Sequence, residues 1–284
     1  MDTLTTGAPP APRVEAPMLM AGPDAPWLRV RRAMAWSGHA VVHAYTDQWQ
    51  DAVLAEPDLR VLLGARDWQR LTTLERTRTR ERFAASRLLV RYAAGAALHV
   101  PPDAVELGYK PGGRPYLRGC DQIGVSISHT RDLIVVGLNR RGRIGVDTEI
   151  ADRTVRYRDM RRLLCTPAER RWLGALDEPE QERELLRLWT RKEAYTKALG
   201  QGMRLGFTEF GFDPGGAALL TPQGRSAAHG EWTFGTHELE RGYLVSIACH
   251  DAGHEAVPDT AVSTMLDEGF LGEVVRSLGS GGRP

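Results

Sequence analysis

The sequence predicts a pseudo-symmetric, two-lobed α+β protein, and three observations predict it. Two long helical stretches occur, one opening at Leu71 and one running from about Glu182 to Leu199. Each is followed by short strand-like runs, so the chain reads as two similar halves. At 284 residues the chain has room for one large domain or two modest ones. Its 42% hydrophobic and 26% charged residues are ordinary globular usage and argue against disorder throughout. The expected organisation is a flexible leader over 1–25, a first lobe over 26–146, a second lobe over 147–258 and a tail over 259–284.

The elements follow in order. Residues 1–25 hold five prolines among Ala, Gly and Thr and show no periodic apolar face. The first long helix places Arg76, Arg80, Arg87 and Arg91 on one stripe and stops at Pro101-Pro102. Breakers crowd Tyr109 to Tyr116, which reads as a turn-rich link. Strand-like runs cover Ile123 to Ser128 and Leu133 to Leu138. After the turn Asn139-Arg140-Arg141-Gly142, a third covers Ile144 to Ile150. Residues 152–171 carry seven arginines against Asp152, Asp159 and Glu169, a local net charge of +4. The second long helix ends at Gly200, a C-cap residue. Strand-like text returns at Trp232 to Phe234 and Tyr243 to Cys249, and one amphipathic helix fits after Asp259.

Composition excludes several classes. Thirty-seven basic residues meet 36 acidic ones, so no global field points to nucleic acid or an anionic membrane. The longest apolar candidate, Leu88 to Val100, is broken by Arg91 and falls short of a bilayer span. The N-terminus lacks a signal pattern, and a cytoplasmic location is expected. Cys120, Cys165 and Cys249 show no CxxC spacing, which argues against a cysteine-based zinc site or a disulfide framework. No P-loop, dinucleotide fingerprint or nucleophile elbow occurs.

Several residues remain that suit chemistry. Asp147 and Glu149 stand at i and i+2 of a strand, so both carboxylates leave the same face. Such a pair suits Mg²⁺, and equally describes two solvated acids on an edge strand. Trp189, Glu193 and Lys197 are successive i+4 neighbours on one helical face, where the indole would anchor the acid and the ammonium. Lysine is rare here: only Lys110, Lys192 and Lys197 occur, and two of them lie in this segment. That retention suggests a need for a compact ammonium. Ser128-His129 closes a strand, where an imidazole can donate to a phosphate oxygen.

Taken together these segments resemble a known family. Gly113-Arg114-Pro115, Ile127-Ser128-His129-Thr130, Gly145-Val146-Asp147-Thr148-Glu149 and Trp189 to Lys197 are similar, in order and spacing, to the signatures of the Sfp-type 4′-phosphopantetheinyl transferases. The resemblance covers roughly residues 70–250. It implies a pseudo-dimer of two similar α+β lobes with coenzyme A at their interface. It also implies transfer of phosphopantetheine to a serine of an acyl or peptidyl carrier protein, serving polyketide, nonribosomal peptide or fatty acid synthesis.

By the same resemblance Asp147, Glu149 and Glu193 would hold Mg²⁺, and Glu193 would act as base or solely as ligand. Lys197 would bind phosphate and assist the leaving group. Arg114, Ser128 and His129 would position the nucleotide, with Arg114 standing where the family usually has lysine. An upstream arginine among Arg78, Arg82 and Arg87 would meet coenzyme A, and Arg87 is preferred. The carrier is expected to dock near Asp152 to Arg171, where Tyr157, Met160, Leu163 and Leu164 interleave with arginines, on a monomer without nucleic-acid or membrane partners. The alternatives from other classes are a metal-dependent nuclease, which the neutral charge balance disfavours, and a non-catalytic carrier-protein binder.

Overall fold

The computed structural model describes residues 14–55, 59–110 and 113–251. Its first part contains β1 (Met18–Leu19), α1 (Leu28–Trp36), β2 (His39–Tyr45), α2 (Thr46–Ala55), α3 (Leu59–Thr72) and α4 (Thr77–Leu98). Then come β3 (Leu107–Tyr109), β4 (Pro115–Leu117), β5 (Gly124–Thr130), β6 (Leu133–Asn139) and β7 (Ile144–Ile150). The remainder comprises α5 (Tyr157–Leu164), α6 (Pro167–Leu173), α7 (Glu178–Leu199), β8 (Gly211–Phe212), β9 (Leu219–Leu220), β10 (Trp232–Leu239) and β11 (Tyr243–His250). The mixed α+β class is as the sequence predicts.

Two sheets dominate. One runs in the order β1-β2-β6-β5 and the other β10-β11-β7, with small hairpins β3-β4 and β8-β9 beside them. Strand alternation sorts their side chains into separate cores. From β2 and β6, Val42, Ala44, Ile134 and Val136 pack with Leu88, Leu89 and Ala93 of α4. The alternate residues Val41, Tyr45, Leu133 and Val135 face the other sheet instead, meeting Val146, Val245 and Ile247. On the far side of that second sheet, Leu244 and Ala248 join Leu185, Leu188 and Ala194 of α7. The layers are therefore helix, sheet, sheet, helix. Because β2 and β6 are covered on both faces, they read as continuous apolar runs, and β2 carries too little alternation to be found from sequence.

The expected boundaries shift. Residues 14–25 are not a free leader: Val14 is buried in the inter-sheet cluster, and Met18–Leu19 pairs in parallel with β2. The lobe boundary at 146/147 would fall inside β7, which pairs with β11 along its whole length. The break between sheets is the turn before Ile144. Leu71 belongs to α3, and the long helix opens only at Thr77. The second long helix starts at Glu178, because Asp177 caps it by accepting from the Glu180 N–H. The amphipathic segment after Asp259 lies outside the described residues. Among the described residues no helix is long and apolar enough to cross a membrane.

Candidate active site

Strand β5 edges the first sheet and β7 edges the second, and side chains rather than a ladder join them. Alternate residues of β5 supply hydroxyls: Ser126 Oγ accepts from the Val146 N–H at 3.1 Å, and Thr130 Oγ1 donates to the Thr148 carbonyl at 2.6 Å. Between them Ser128 Oγ donates to Asp147 Oδ1 at 3.2 Å. This Ser-x-Ser-x-Thr pattern went unread in the sequence, although its period of two was the available signal.

Helix α7 closes the seam. Gly145 lies directly beneath it: a Cβ there would stand 1.9 Å from the Ala194 carbonyl oxygen and 2.5 Å from the Ala198 N. Backbone therefore packs on backbone, which brings the next turn of the helix over Asp147. Lys197 Nζ reaches Asp147 Oδ1 at 2.6 Å and Ser128 Oγ at 3.1 Å. Farther along, buried Thr190 Oγ1 meets Ser246 Oγ of β11 at 2.8 Å and fixes the helix phase. Gly145→Ala is expected to destabilise the fold by about 3 kcal/mol or more and to remove activity, since two backbones must separate. Thermal denaturation and far-UV circular dichroism check it, and a wild-type melting temperature would refute the close approach.

The acids sit together but are not closed around a common centre. Burial raises Glu149 and Glu193 above the ordinary glutamate range, with Asp147 adding repulsion to both. Each is offset by a nearby cation. Glu149 pairs with Arg153, the Lys197 ammonium one turn on draws Glu193 back down, and Asp147 holds Lys197. Among the described residues no group of three His, Cys, Asp or Glu is placed to hold a metal ion. The donor set, three oxygen ligands with unfavourable mutual charge, fits a hard divalent cation.

Cations line the other side of the seam. His129 is pushed below the ordinary histidine value, first by desolvation and then by Arg82, Lys197 and Arg87. Its imidazole is thus neutral at neutral pH, and an anion placed there would shift it toward the protonated form. Arg87 lies 3.5 Å from Asp67 and stacks over Phe83 and Tyr109. Arg82 donates to the Arg131 carbonyl, while Arg78 is exposed. Arg114 does something the sequence did not suggest: Nη1 donates to the Ala198 carbonyl at 3.2 Å and lies against Gly200. It satisfies the C-terminus of α7, whose Gly200 cap adopts a left-handed φ of 71°.

Residues 143–248 match the 4′-phosphopantetheinyl transferase superfamily. That span runs from the start of β7 through α7 into β11 and holds all three acids and Lys197. A putative 4′-phosphopantetheinyl transferase of Synechocystis is 27% identical over 54% of this chain and 63% of its own length. The 4′-phosphopantetheinyl transferase HetI of Nostoc is 30% identical over 51% of this chain and 63% of its own. A 4′-phosphopantetheinyl transferase of Bacillus subtilis is 26% identical over 56% and 70%. The chain thus spans a little under two thirds of the first two relatives it matches.

Within the transferase match, two expectations change. Of the four apolar residues assigned to docking, Tyr157 and Leu164 are buried and Met160 packs against the α7 core. Only Leu163 points outward, 67% exposed. Its helix α5 is amphipathic, so three apolar side chains were core all along. Lys192 is not a site lysine. It is fully buried and donates to Glu169 Oε2 at 2.7 Å, behind the face that carries Glu193 and Lys197. The rarity of lysine drew attention to this segment but did not separate a structural ammonium from a functional one.

Proposed function

We propose that the protein transfers the 4′-phosphopantetheine group of coenzyme A to a serine hydroxyl of an apo carrier protein, acyl or peptidyl, releasing 3′,5′-ADP. The observation that carries this reading is the seam itself. Lys197 of α7 bridges Ser128 of β5 and Asp147 of β7, with Glu193 one turn away on the same helix. Residues from four separated sequence signatures converge there, between two sheets each backed by a long helix, which supports a pseudo-dimer of lobes with coenzyme A between them.

Each residue then has a role. Arg82, Arg87 and Lys197, with the His129 imidazole among them, form the wall that would receive the nucleotide phosphates. Ser128 orients both Lys197 and Asp147. Arg114 orders the end of α7, one residue beyond Lys197. Asp147, Glu149 and Glu193 would hold Mg²⁺, which when bound supplies charge neutralisation at the pyrophosphate. Glu193, raised toward neutrality by burial, is suited to take the proton of the carrier serine. The serine oxygen forms a new bond to the phosphorus that bears pantetheine, the bond from that phosphorus to the bridging oxygen breaks, and Lys197 balances the charge left on 3′,5′-ADP.

Incubation with coenzyme A, Mg²⁺ and an apo carrier protein should give a phosphopantetheine adduct by mass spectrometry together with free 3′,5′-ADP. Absence of adduct on several apo acyl and peptidyl carriers would overturn the proposal. Cleavage of nucleic acid under the same conditions would favour a nuclease instead.

Docking of the carrier is proposed at α5, now centred on Leu163 with Arg158, Arg161 and Arg162 exposed around it. An acidic partner helix complements that face. Reversal of these three arginines to Glu is expected to raise the KM for carrier about tenfold or more and to flatten its salt dependence. The KM for coenzyme A should hold, because the phosphate wall lies on α4, β5 and the C-terminal turn of α7, none of them part of α5. Steady-state kinetics with each substrate varied in turn checks this, and parallel losses in both constants would refute it.

A further inference from the structure

The carboxylate assigned to the metal on β7, Glu149, is already engaged by a cation from the same segment. Arg153 lies four residues on, past the end of the strand, and is ion-paired with it. The pair is not symmetric in exposure: the arginine side chain is 41% exposed and the glutamate 18%. The guanidinium is held in place from behind, lying 4.5 Å over the Trp189 ring. Trp189 in turn stands on α7 one turn before Glu193. One indole of α7 therefore braces the partner of Glu149 beside the helix turn that carries Glu193. Asp147, the remaining acid, is held by Lys197.

We infer that Arg153 is a built-in counter-cation that competes with a divalent metal for Glu149 and so sets the metal concentration at which the site closes. This inference rests on the metal reading proposed above. A divalent ion entering between the acids must displace the guanidinium, whose 41% exposure leaves it room to move into solvent. A partly exposed ion pair is weak, so the competition should weaken metal binding by between about threefold and tenfold. Arginine suits this use better than lysine, because its flat, weakly hydrated guanidinium stacks on an indole while pairing with a carboxylate.

The test is Mn²⁺ binding to the protein without coenzyme A, read by electron paramagnetic resonance of the free ion. Mn²⁺ shares the preference of Mg²⁺ for oxygen ligands in octahedral geometry. Arg153→Gln, which keeps much of the side-chain stem over Trp189, should bind Mn²⁺ about three to ten times more tightly than the wild type. Arg153→Lys should fall between them. In a Glu149→Gln background the Arg153→Gln substitution should no longer change the affinity, since the competed carboxylate is gone. Equal affinities for wild type and Arg153→Gln, or a gain that persists in the Glu149→Gln background, would overturn the inference. Absence of saturable Mn²⁺ binding in both proteins would overturn it together with the metal reading, whereas Mn²⁺ binding as described in a protein that transfers no phosphopantetheine would overturn the proposed function alone.

Discussion

Glu193→Gln is expected to lower kcat for phosphopantetheine transfer by about 10²- to 10⁴-fold, the range a general base commands, while leaving the protein folded. The metal-free variant should be at least as stable as the wild type. Burial comes first in raising the Glu193 carboxyl, and the neighbouring Asp147 charge adds to it. A carboxyl raised in the native state contributes stability that is present below the ordinary glutamate value and lost as pH rises through the native value. At neutral pH its charge is therefore a net cost, which glutamine removes. Melting temperature followed from pH 5 upward should fall less steeply for Glu193→Gln than for wild type. Retention of more than a tenth of wild-type kcat would refute the assigned role.

Asp147 contrasts with it. Its carboxylate anchors Lys197 and accepts from Ser128, so Asp147→Ala strips two partners as well as a metal ligand. Lys197 is 31% exposed and can recover water, which limits the loss to on the order of 1 kcal/mol. Kinetically the two substitutions should not add. A shared site predicts that the double variant is scarcely worse than the more damaged single, and free energies that sum would separate the residues into independent functions.

The strands that could be read from sequence were apolar runs set off by clear turns, β6 and β7 among them, even though β6 is buried on both faces. Ile144 to Ile150 was legible to the residue because its run is bounded by a turn on one side and polar text on the other. β2, covered on both faces, offered no alternation, and nothing in residues 26–70 marked it. The site showed the same division. Spacing singled out Asp147 with Glu149 and Glu193 with Lys197, because strand and helix geometry are local, and the resemblance to the transferases put the two pairs in one site. What joins them is not local. The approach of α7 to β7 depends on Gly145 having no side chain, and the stitching of β5 to β7 on hydroxyls that look generic in a string of letters. Docking was misread for a related reason. A basic helix with apolar residues looks alike whether those residues face a partner or its own core, and only the packing of Tyr157, Met160 and Leu164 decides.

Lys192→Met is expected to be the most damaging single substitution outside the site. The ammonium has no exposed surface and donates to Glu169 at 2.7 Å, to the Phe207 carbonyl at 2.5 Å and to the Phe210 carbonyl at 2.8 Å. Glu169, itself 1% exposed, closes the capping box of α6 with Thr166 and accepts from the Phe212 N–H of β8. Three elements thus meet at one buried pair. Burial pulls Lys192 below the ordinary lysine value and Glu169 pulls it back, so the charges depend on each other. Methionine fills the same volume but leaves Glu169 buried and uncompensated, which costs about 3–5 kcal/mol. For a chain of this size that lowers the melting temperature by on the order of 10 °C. The companion Lys192→Met/Glu169→Gln removes both charges, and a neutral pair in place of a buried ion pair is often tolerated. The double variant should therefore regain more than half of the loss, the remainder being whichever of the Thr166 and Phe212 N–H groups the single glutamine oxygen does not accept from. If the double variant is instead less stable than the single, the cost lies in the α6 cap and the loop carbonyls, and the uncompensated charge is not what makes this lysine indispensable.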